Sequence, residues 1–362
     1  MAKHYSFPSI NQFRNAIRAV VDRAHWVGRD AETNEPIFNR QAPIPTLTYR
    51  ATVKMHGTNA GIAYDLNAKT FSYQSRERVL DITSDNAGFC LAMKQHEETV
   101  LPELVNEIIS ASNEEAPDKV VIYGEWCGGN IQKGVALSQL PKMFVIFGVR
   151  FIYDTDGQSQ DLEEISKWID LELVKEIEFP EQRIFNALRF GEVRVDINFN
   201  RPEEVQNLIV DYVTQVENEC PVGKEFGVSG VGEGLVWVCI TPGYSSSKYW
   251  FKAKGEKHSA SKVKTLASVD VEAVKALNDF VDFAVTENRL VQGLQNLVRE
   301  KQKEFSMENM GDFIRWVHHD IIKEETDTIV ANQFEVKKLG GPIANRARAW
   351  FIAKLNEGYT VD

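Results

Sequence analysis

The spacing of apolar residues changes once along the chain, and that change most constrains the fold. From about residue 46 to 254 the segments either alternate, as in "TLTYRATV" and more weakly "TFSYQS", or run continuously apolar, as in "KVVIYGEW" and "KMFVIFGVRFIYD". Alternation puts successive side chains on opposite faces of a strand, and a continuous apolar run suits a strand buried on both faces. After about residue 268 the spacing turns helical, with Leu290, Leu294 and Leu297 on one face and Phe313, Trp316 and Val317 on another. The expected class is α+β: a domain with antiparallel sheets over 1–264, then an all-helical domain over 265–362.

Other elements follow from shorter signals. Ser9 with Gln12 three residues on forms a capping box, and Ile17, Val20, Val21 and Ala24 fall on one face of the helix it would open. Residues 31–45 carry charge and prolines and read as a loop. Helices are expected near 85–110, 161–177 and 202–218, and "EGLVWVCI", "TPGYSSS" and "KYWFKAK" read as two strands joined by a Pro-Gly loop. Gly340-Gly341-Pro342 is expected to stop one helix and start the next.

Composition excludes several classes. No apolar run reaches the eighteen or more residues of a membrane span, and the N-terminus lacks the apolar stretch of a signal peptide, so a cytoplasmic monomer without membrane contact is expected, in the host cytoplasm if the chain is viral. Cys90, Cys127, Cys220 and Cys239 lack paired metal spacing and read as reduced thiols, and His318-His319 reads as ordinary. A formal net charge of −11 argues against a protein that coats nucleic acid, because phosphate binding needs a basic surface. A local basic groove stays open, since Lys248, Lys252, Lys254, Lys257, Lys262 and Lys264 crowd one stretch.

Lys54 heads the chemical candidates. It stands at the end of an alternating strand, before the turn His56-Gly57-Thr58-Asn59. An ordinary lysine pKa of about 10.4 leaves the amine protonated at neutral pH, so a nucleophilic lysine must be desolvated or set beside other cations. Alone, the segment favours an exposed lysine on a hairpin, since surface lysines are common. The period of two puts Lys248, Trp250, Lys252 and Lys254 on one strand face, where Lys252 and Lys254 could meet phosphate and stand beside such a nucleophile. Glu125 and Glu233 lie beside glycines at strand ends, suited to ribose hydroxyls or Mg²⁺, or to turns and caps.

In order, Lys54-Met55-His56-Gly57-Thr58-Asn59, Ser75-Arg76, Gly124-Glu125, Phe144 to Phe147, Glu233-Gly234 and Lys252-Ala253-Lys254 resemble the covalent nucleotidyltransferase superfamily of ligases and capping enzymes. Within it the set is most similar to the bacteriophage T4 RNA ligase 2 family, which includes the RNA-editing ligases. The words K-x-H-G-T-N and "IQKGV" at Ile131 to Val135 distinguish it. The motifs span about 50–255, and the helical tail matches as architecture only.

The resemblance implies a nucleotidyltransferase domain, ATP-grasp-like, that uses ATP and Mg²⁺ (Mn²⁺ possible) to join RNA 3′-hydroxyl and 5′-phosphate ends at duplex nicks through lysyl-AMP and RNA-adenylate. It implies Lys54 as nucleophile, with Glu125 on the ribose and Phe147 (or Phe144) stacked on adenine. It further implies Glu233 on the metal, and Lys252 and Lys254 on the α-phosphate. Arg76 would meet a phosphate, His56 would serve the later steps, and Asn59 would approach the α-phosphate. Val53 departs from the phage enzyme, which has a glutamate there that helps read adenine, so backbone at Val53 and Met55 must do more. Lys337, Lys338, Arg346 and Arg348 could contact RNA phosphates or simply form a solvated face. A ligase preferring DNA or mixed nicks, and a non-catalytic nucleotide or RNA-end binding module, are the alternatives.

Overall fold

The alternation over 46–53 does build a strand, Thr46–Val53, and it lies inside a sheet. The computed structural model describes residues 3–129, 131–153, 162–255, 271–301 and 303–359. The chain divides into two compact units, one of residues 1–24 with 44–268, the other of residues 25–43 with 269–362. The expected boundary at 264/265, with Lys257, Lys262 and Lys264, lies outside the described residues.

Two sheets make up the first unit. In the four-stranded sheet the order is Glu192–Asn198, Thr46–Val53, Gly234–Cys239, Phe251–Lys254, all antiparallel. In the seven-stranded sheet the order is Ile184–Asn186, Met143–Ile152, Lys119–Cys127, Gly57–Asp65, Thr70–Ser75, Val79–Leu80, with Ser166–Ile169 also pairing Met143–Ile152. Within this sheet, among the described residues, only the Ile184–Asn186 pairing is parallel. Antiparallel sheets thus dominate, as the sequence suggests.

The alternation assigns the two faces of the four-stranded sheet. Leu47, Tyr49, Ala51 and Val53 are buried and belong to a core with Phe13, Val20, Ile209, Val213 and Val216 from the helices Phe13–His25 and Gln206–Asn218. Trp237 and Phe251 stack in the same core, ring centroids 5.7 Å apart. Burying such rings contributes about 1.5–3 kcal/mol each, which fixes the register, because a one-residue slip would send every one of them to the other face. The face left over carries Arg50, Thr52, Lys252 and Lys254.

Several expectations need correction. Ser9 caps no helix: the helix begins at Phe13, where the Gln12 carbonyl accepts from Asn15 and Ala16, and the Ser9 hydroxyl instead accepts from Arg76 Nη2 at 3.0 Å. Over 162–177 the structure has the strand Ser166–Ile169 and a 3-10 turn Leu171–Val174 where a helix was expected, because Ser166–Ile169 pairs with Val149–Ile152. Lys248 lies in the 3-10 turn Ser247–Tyr249, so the strand face of lysines is only Lys252 and Lys254, and Trp250 is buried.

The second unit holds helices Val271–Ala284, Glu287–Gln295, Met310–Glu324, Thr326–Ala331 and Val336–Asn356 around Leu290, Leu294, Phe313, Val317, Ile321, Ile343 and Phe351. The expected loop at 31–45 is in part a hairpin, Trp26–Arg29 with Pro36–Phe38, closed by Asp30 Oδ1 accepting from the amides of Glu32 and Thr33. Val336–Asn356 runs unbroken through Pro342, contrary to the expected stop. Its buried stripe of Leu339, Ile343, Ala347 and Phe351 is continuous across the proline, and that packing outweighs the lost backbone bond. Among the described residues no helix is long and apolar enough to cross a membrane. The four cysteines are buried and unbridged.

Candidate active site

Lys54-Met55-His56 carries the chain from one sheet to the other. Thr46–Val53 belongs to the four-stranded sheet and Gly57–Asp65 to the seven-stranded sheet, so the segment is a crossover and the hairpin reading is set aside. The Lys54 amide donates to Gly234 O at 2.8 Å, which keeps the lysine in register with Gly234 and Lys254 for one residue beyond the strand. Gly57 starts the next strand, where a Cβ would come within 2.3 Å of the Trp126 carbonyl oxygen. Glycine is required there by close approach.

The polar face of the four-stranded sheet forms a floor in three rows. Arg50 pairs with Val238; Thr52 pairs with Val236, which pairs with Lys252; Lys54 stands beside Gly234, which pairs with Lys254. These side chains share a face because cross-strand partners do.

One carboxylate organises the lysine end of this floor. Glu233, 2% exposed, accepts from Lys54 Nζ on Oε2 at 2.7 Å and from Lys254 Nζ on Oε1 at 2.6 Å, and His56 Nδ1 lies 3.1 Å from Oε2. Burial alone would raise its pKa, but the His56 hydrogen bond and the ammonium groups of Lys54 and Lys254 hold it well below the usual carboxylate range. Burial, with Lys254, Lys54 and Arg76 nearby, pushes the Lys252 ammonium down. Arg76 is exposed, yet its charge reaches this cluster.

Glu125 comes from the facing sheet. Its Oε1 accepts from the Gly57 amide at 2.9 Å, and Asn59 is its cross-strand partner, so both side chains share a face. Burial pushes Glu125 up to about 7, against the opposing pull of Lys54. Protonation of this carboxyl therefore changes near neutrality.

Phe147 is aimed by a bulge. The register of Lys119–Cys127 with Met143–Ile152 slips between Tyr123 and Gly124, which pair Gly148 and Ile146, leaving Phe147 as the extra residue. The half-buried ring reaches a cavity of about 130 Å³ between the sheets, lined also by Arg50, Thr52, Trp168, Asp170 and Trp250. Phe144 is fully buried against Phe89, at 5.1 Å, so the two candidate rings separate cleanly.

Val53 and Met55 are buried in the core. The Val53 side chain lines a second cavity, on the far side of its sheet, with Ala51, Leu235, Tyr212 and Val216. Only backbone at these two positions is left for a ligand in the cleft. The structure thus brings Lys54, His56, Lys252, Lys254, Glu233, Glu125 and Asn59 together, with Phe147 along the same floor. Thr52, Val236 and Arg50 join this floor without being singled out by any motif, although the alternation that sends Lys54 to one face sends Thr52 and Arg50 there too.

A family model described as RNA ligase matches residues 47–254, more than half of the chain. The chain belongs to the RNA ligase family. Its membership rests on the segment that contains the whole cleft. Solved structures similar to it include Naegleria gruberi RNA ligase with PPi, at 15% identity and a TM-score of 0.41. Two mutants of that ligase, one with ATP and Mn and one with AMP and Mn, are each 14% identical with a TM-score of 0.41. In all three, the match covers 70% of this chain and 57% of the other. No curated protein matches the chain.

A divalent ion does not fit Glu233 as it stands. A hard cation seeks oxygen ligands, whereas both Glu233 oxygens are already taken by Lys54, Lys254 and His56. Among the described residues no cluster of three histidine, cysteine or acidic groups could hold a metal. In this structure Glu233 is the counter-ion of Lys54 and Lys254.

Proposed function

We propose that the chain is an ATP-dependent RNA ligase of the RNA ligase 2 type, joining 3′-hydroxyl and 5′-phosphate ends at nicks in duplex RNA. The observation that carries this reading is Lys54 clamped on Glu233 beside Lys254, at the foot of an intersheet cleft that has an aromatic-lined slot farther along its floor. A binding module has no need of a nucleophile held this way.

In the first step Lys54 Nζ, having given up its proton to water, attacks the α-phosphorus of ATP. The N–P bond forms, the bond from phosphorus to the bridging oxygen breaks, and pyrophosphate leaves with the electron pair. Glu233 Oε2 restrains the amine, and Lys252 and Lys254 face the non-bridging oxygens, where negative charge builds. Such in-line transfer depends mainly on positioning and charge neutralisation. The RNA 5′-phosphate oxygen then takes AMP from Lys54, and a 3′-hydroxyl displaces AMP to seal the strand. Arg76, exposed and near enough for its charge to act on Lys252, would meet the incoming phosphate. A divalent ion bound with the nucleotide would supply further neutralisation of its phosphate charge.

Three of the four cations expected to meet RNA in the helical unit are engaged within it. Arg346 pairs with Asp282, Lys338 pairs with Glu335 at 2.8 Å, and Arg348 Nη1 donates to Asn345 Oδ1 at 3.4 Å. Exposed Lys337 remains the better candidate for an RNA phosphate.

Intact-mass measurement after incubation with ATP and a magnesium salt tests the reading. The expected result is one AMP adduct per chain, lost in Lys54→Ala, followed by sealing of a nicked RNA duplex. An adduct that persists in Lys54→Ala would remove the assignment, and sealing only of DNA would redirect it.

A further inference from the structure

Ser9, which caps no helix, belongs to a strap that ties the two sheets of the first unit together. At one end of the strap the Tyr5 amide donates to Gln74 Oε1 at 3.0 Å, and the buried Gln74 side chain returns a bond to the Tyr5 carbonyl. His4 Nε2 donates to the Ser75 carbonyl at 3.1 Å, so this end is fastened to the seven-stranded sheet. At the other end the Asn11 carbonyl accepts from the Lys252 amide at 2.9 Å, and Asn11 bridges Phe251 of the four-stranded sheet. Between the ends, the Phe7 ring packs on Phe147, Tyr123 and Trp250, with centroids at 4.9, 5.2 and 6.2 Å. Pro8 has a fixed φ and keeps Phe7 extended. Ser9 is therefore pinned, with an anchor two residues away on either side.

Arg76 hangs on this serine. Its Nη2 donates to Ser9 Oγ at 3.0 Å, and among the described residues it makes no other hydrogen bond and no ion pair. A carboxylate in that place would neutralise the guanidinium, whereas a hydroxyl oxygen restrains a rotamer-rich side chain and leaves its charge unspent. Arg76 follows a strand of one sheet and Lys252 lies in the other, yet both are fastened to the strap, at Ser9 and at Asn11. Two residues of chain span at most about 7 Å, so the fastening points are close. The Arg76 charge accordingly acts on Lys252.

We propose that Ser9 is a positioning residue that holds the Arg76 guanidinium ready for the RNA 5′-phosphate which takes AMP from Lys54. The inference rests on the ligase reading. In that step a 5′-phosphate oxygen bonds to the α-phosphorus and the bond from phosphorus to Lys54 Nζ breaks. The amine leaves with the electron pair and takes up a proton from water. Ser9 touches none of the reacting atoms. A cation already held in place spares part of the ordering cost when RNA arrives, so the effect of Ser9 falls on RNA affinity.

The test starts from protein already carrying AMP, made with ATP and a magnesium salt and then freed of nucleotide. Loss of the adduct is followed by intact mass in a single turnover, against the concentration of a nicked RNA duplex that bears a 5′-phosphate. In Ser9→Ala the RNA concentration giving half the maximal rate should rise about 5-fold to 10-fold, the scale of one exposed hydrogen bond to a charged group. The maximal rate, and the rate at which ATP forms the adduct, should each change less than about 2-fold, since the serine touches no reacting atom. Ser9→Thr keeps the hydroxyl and should restore the unmodified RNA dependence. The same duplex with a 5′-hydroxyl cannot accept AMP and acts as a competitor; its inhibition should be the same in Ser9→Ala as in the unmodified protein, because it brings no phosphate to Arg76. An unchanged RNA dependence in Ser9→Ala would overturn the proposal. So would equal weakening of the two duplexes, or a loss of adduct formation as large as the loss of RNA affinity, either of which would make the strap merely structural. Absence of any adduct on the unmodified protein would remove the ligase reading itself, and this inference with it.

Discussion

Lys54 Nζ and Lys254 Nζ stand on the two oxygens of one carboxylate, 2.7 Å from Glu233 Oε2 and 2.6 Å from Glu233 Oε1. Glu233→Gln leaves these two ammonium groups and His56 facing a neutral amide. Because both lysines keep some contact with water, the expected loss of stability is about 2 kcal/mol, below the value for a fully buried pair. The pH dependence has a definite sign. Glu233 is held below its ordinary range, so its stabilisation is present above the unfolded carboxylate pKa, about 4.3, and fades as pH falls toward the lower folded value. Denaturant unfolding of both proteins at pH 7 and pH 3.5 should show the difference shrinking at the lower pH.

Glu125 has the opposite sign. Burial pushes it up to about 7, so ionisation on raising the pH is opposed in the folded protein from the unfolded pKa upward. Glu125→Gln stays neutral and keeps an acceptor for the Gly57 amide. Its stability relative to the unmodified protein should rise between pH 5 and pH 8, by up to about 3 kcal/mol from the size of the shift, then level off. Thermal unfolding across that range is the check, and a flat difference would reject it.

Gly57→Ala tests the close approach at the sheet crossover. Its Cβ would meet the Trp126 carbonyl oxygen at 2.3 Å and Cys127 Cβ at 2.7 Å, so backbone must move. The expected cost is about 3 kcal/mol, the upper range for overpacking. The denaturation midpoint should drop with an unchanged slope.

The two phenylalanines of the Met143–Ile152 strand should separate by phenotype. Phe144→Ala empties a buried core position and should cost about 3–5 kcal/mol. Phe147→Ala removes a ring that the bulge sends into the slot, so AMP binding should weaken about 10-fold, the scale of one lost aromatic stack, with a much smaller change in stability. Stability and affinity measured on both variants decide the matter.

Much of the site was legible because its signals are local. The period of two places Lys252 and Lys254 on one face whatever the strand pairs with, and the glycine after Glu233 opens the strand Gly234–Cys239, although Gly124 and Glu125 lie inside Lys119–Cys127 and not at its end. Pairing between distant strands is not written locally. Nothing in "TLTYRATV" says that Thr52 will lie beside Val236 and Val236 beside Lys252, or that Lys54 leaves one sheet for another. Arg50 shows the same limit: a charged residue in a strand becomes intelligible only when a segment 120 residues onward brings Asp170 to it. That segment also departs from its local signal. Its spacing suits a helix, but the open edge of Met143–Ile152 captures Ser166–Ile169 as a strand. Likewise, a proline that ends helices on average sits inside Val336–Asn356, where the buried stripe continues on both sides.

The crossover at Lys54-Met55-His56 has a mechanical meaning. Its two neighbours are hydrogen-bonded into different sheets, while the Lys54 amide stays bonded to Gly234 O and the Gly57 amide to Glu125 Oε1. Three residues of continuous chain thus form the joint at which one sheet hands its lysine to the carboxylate of the other, and lengthening that joint by a single residue would part them.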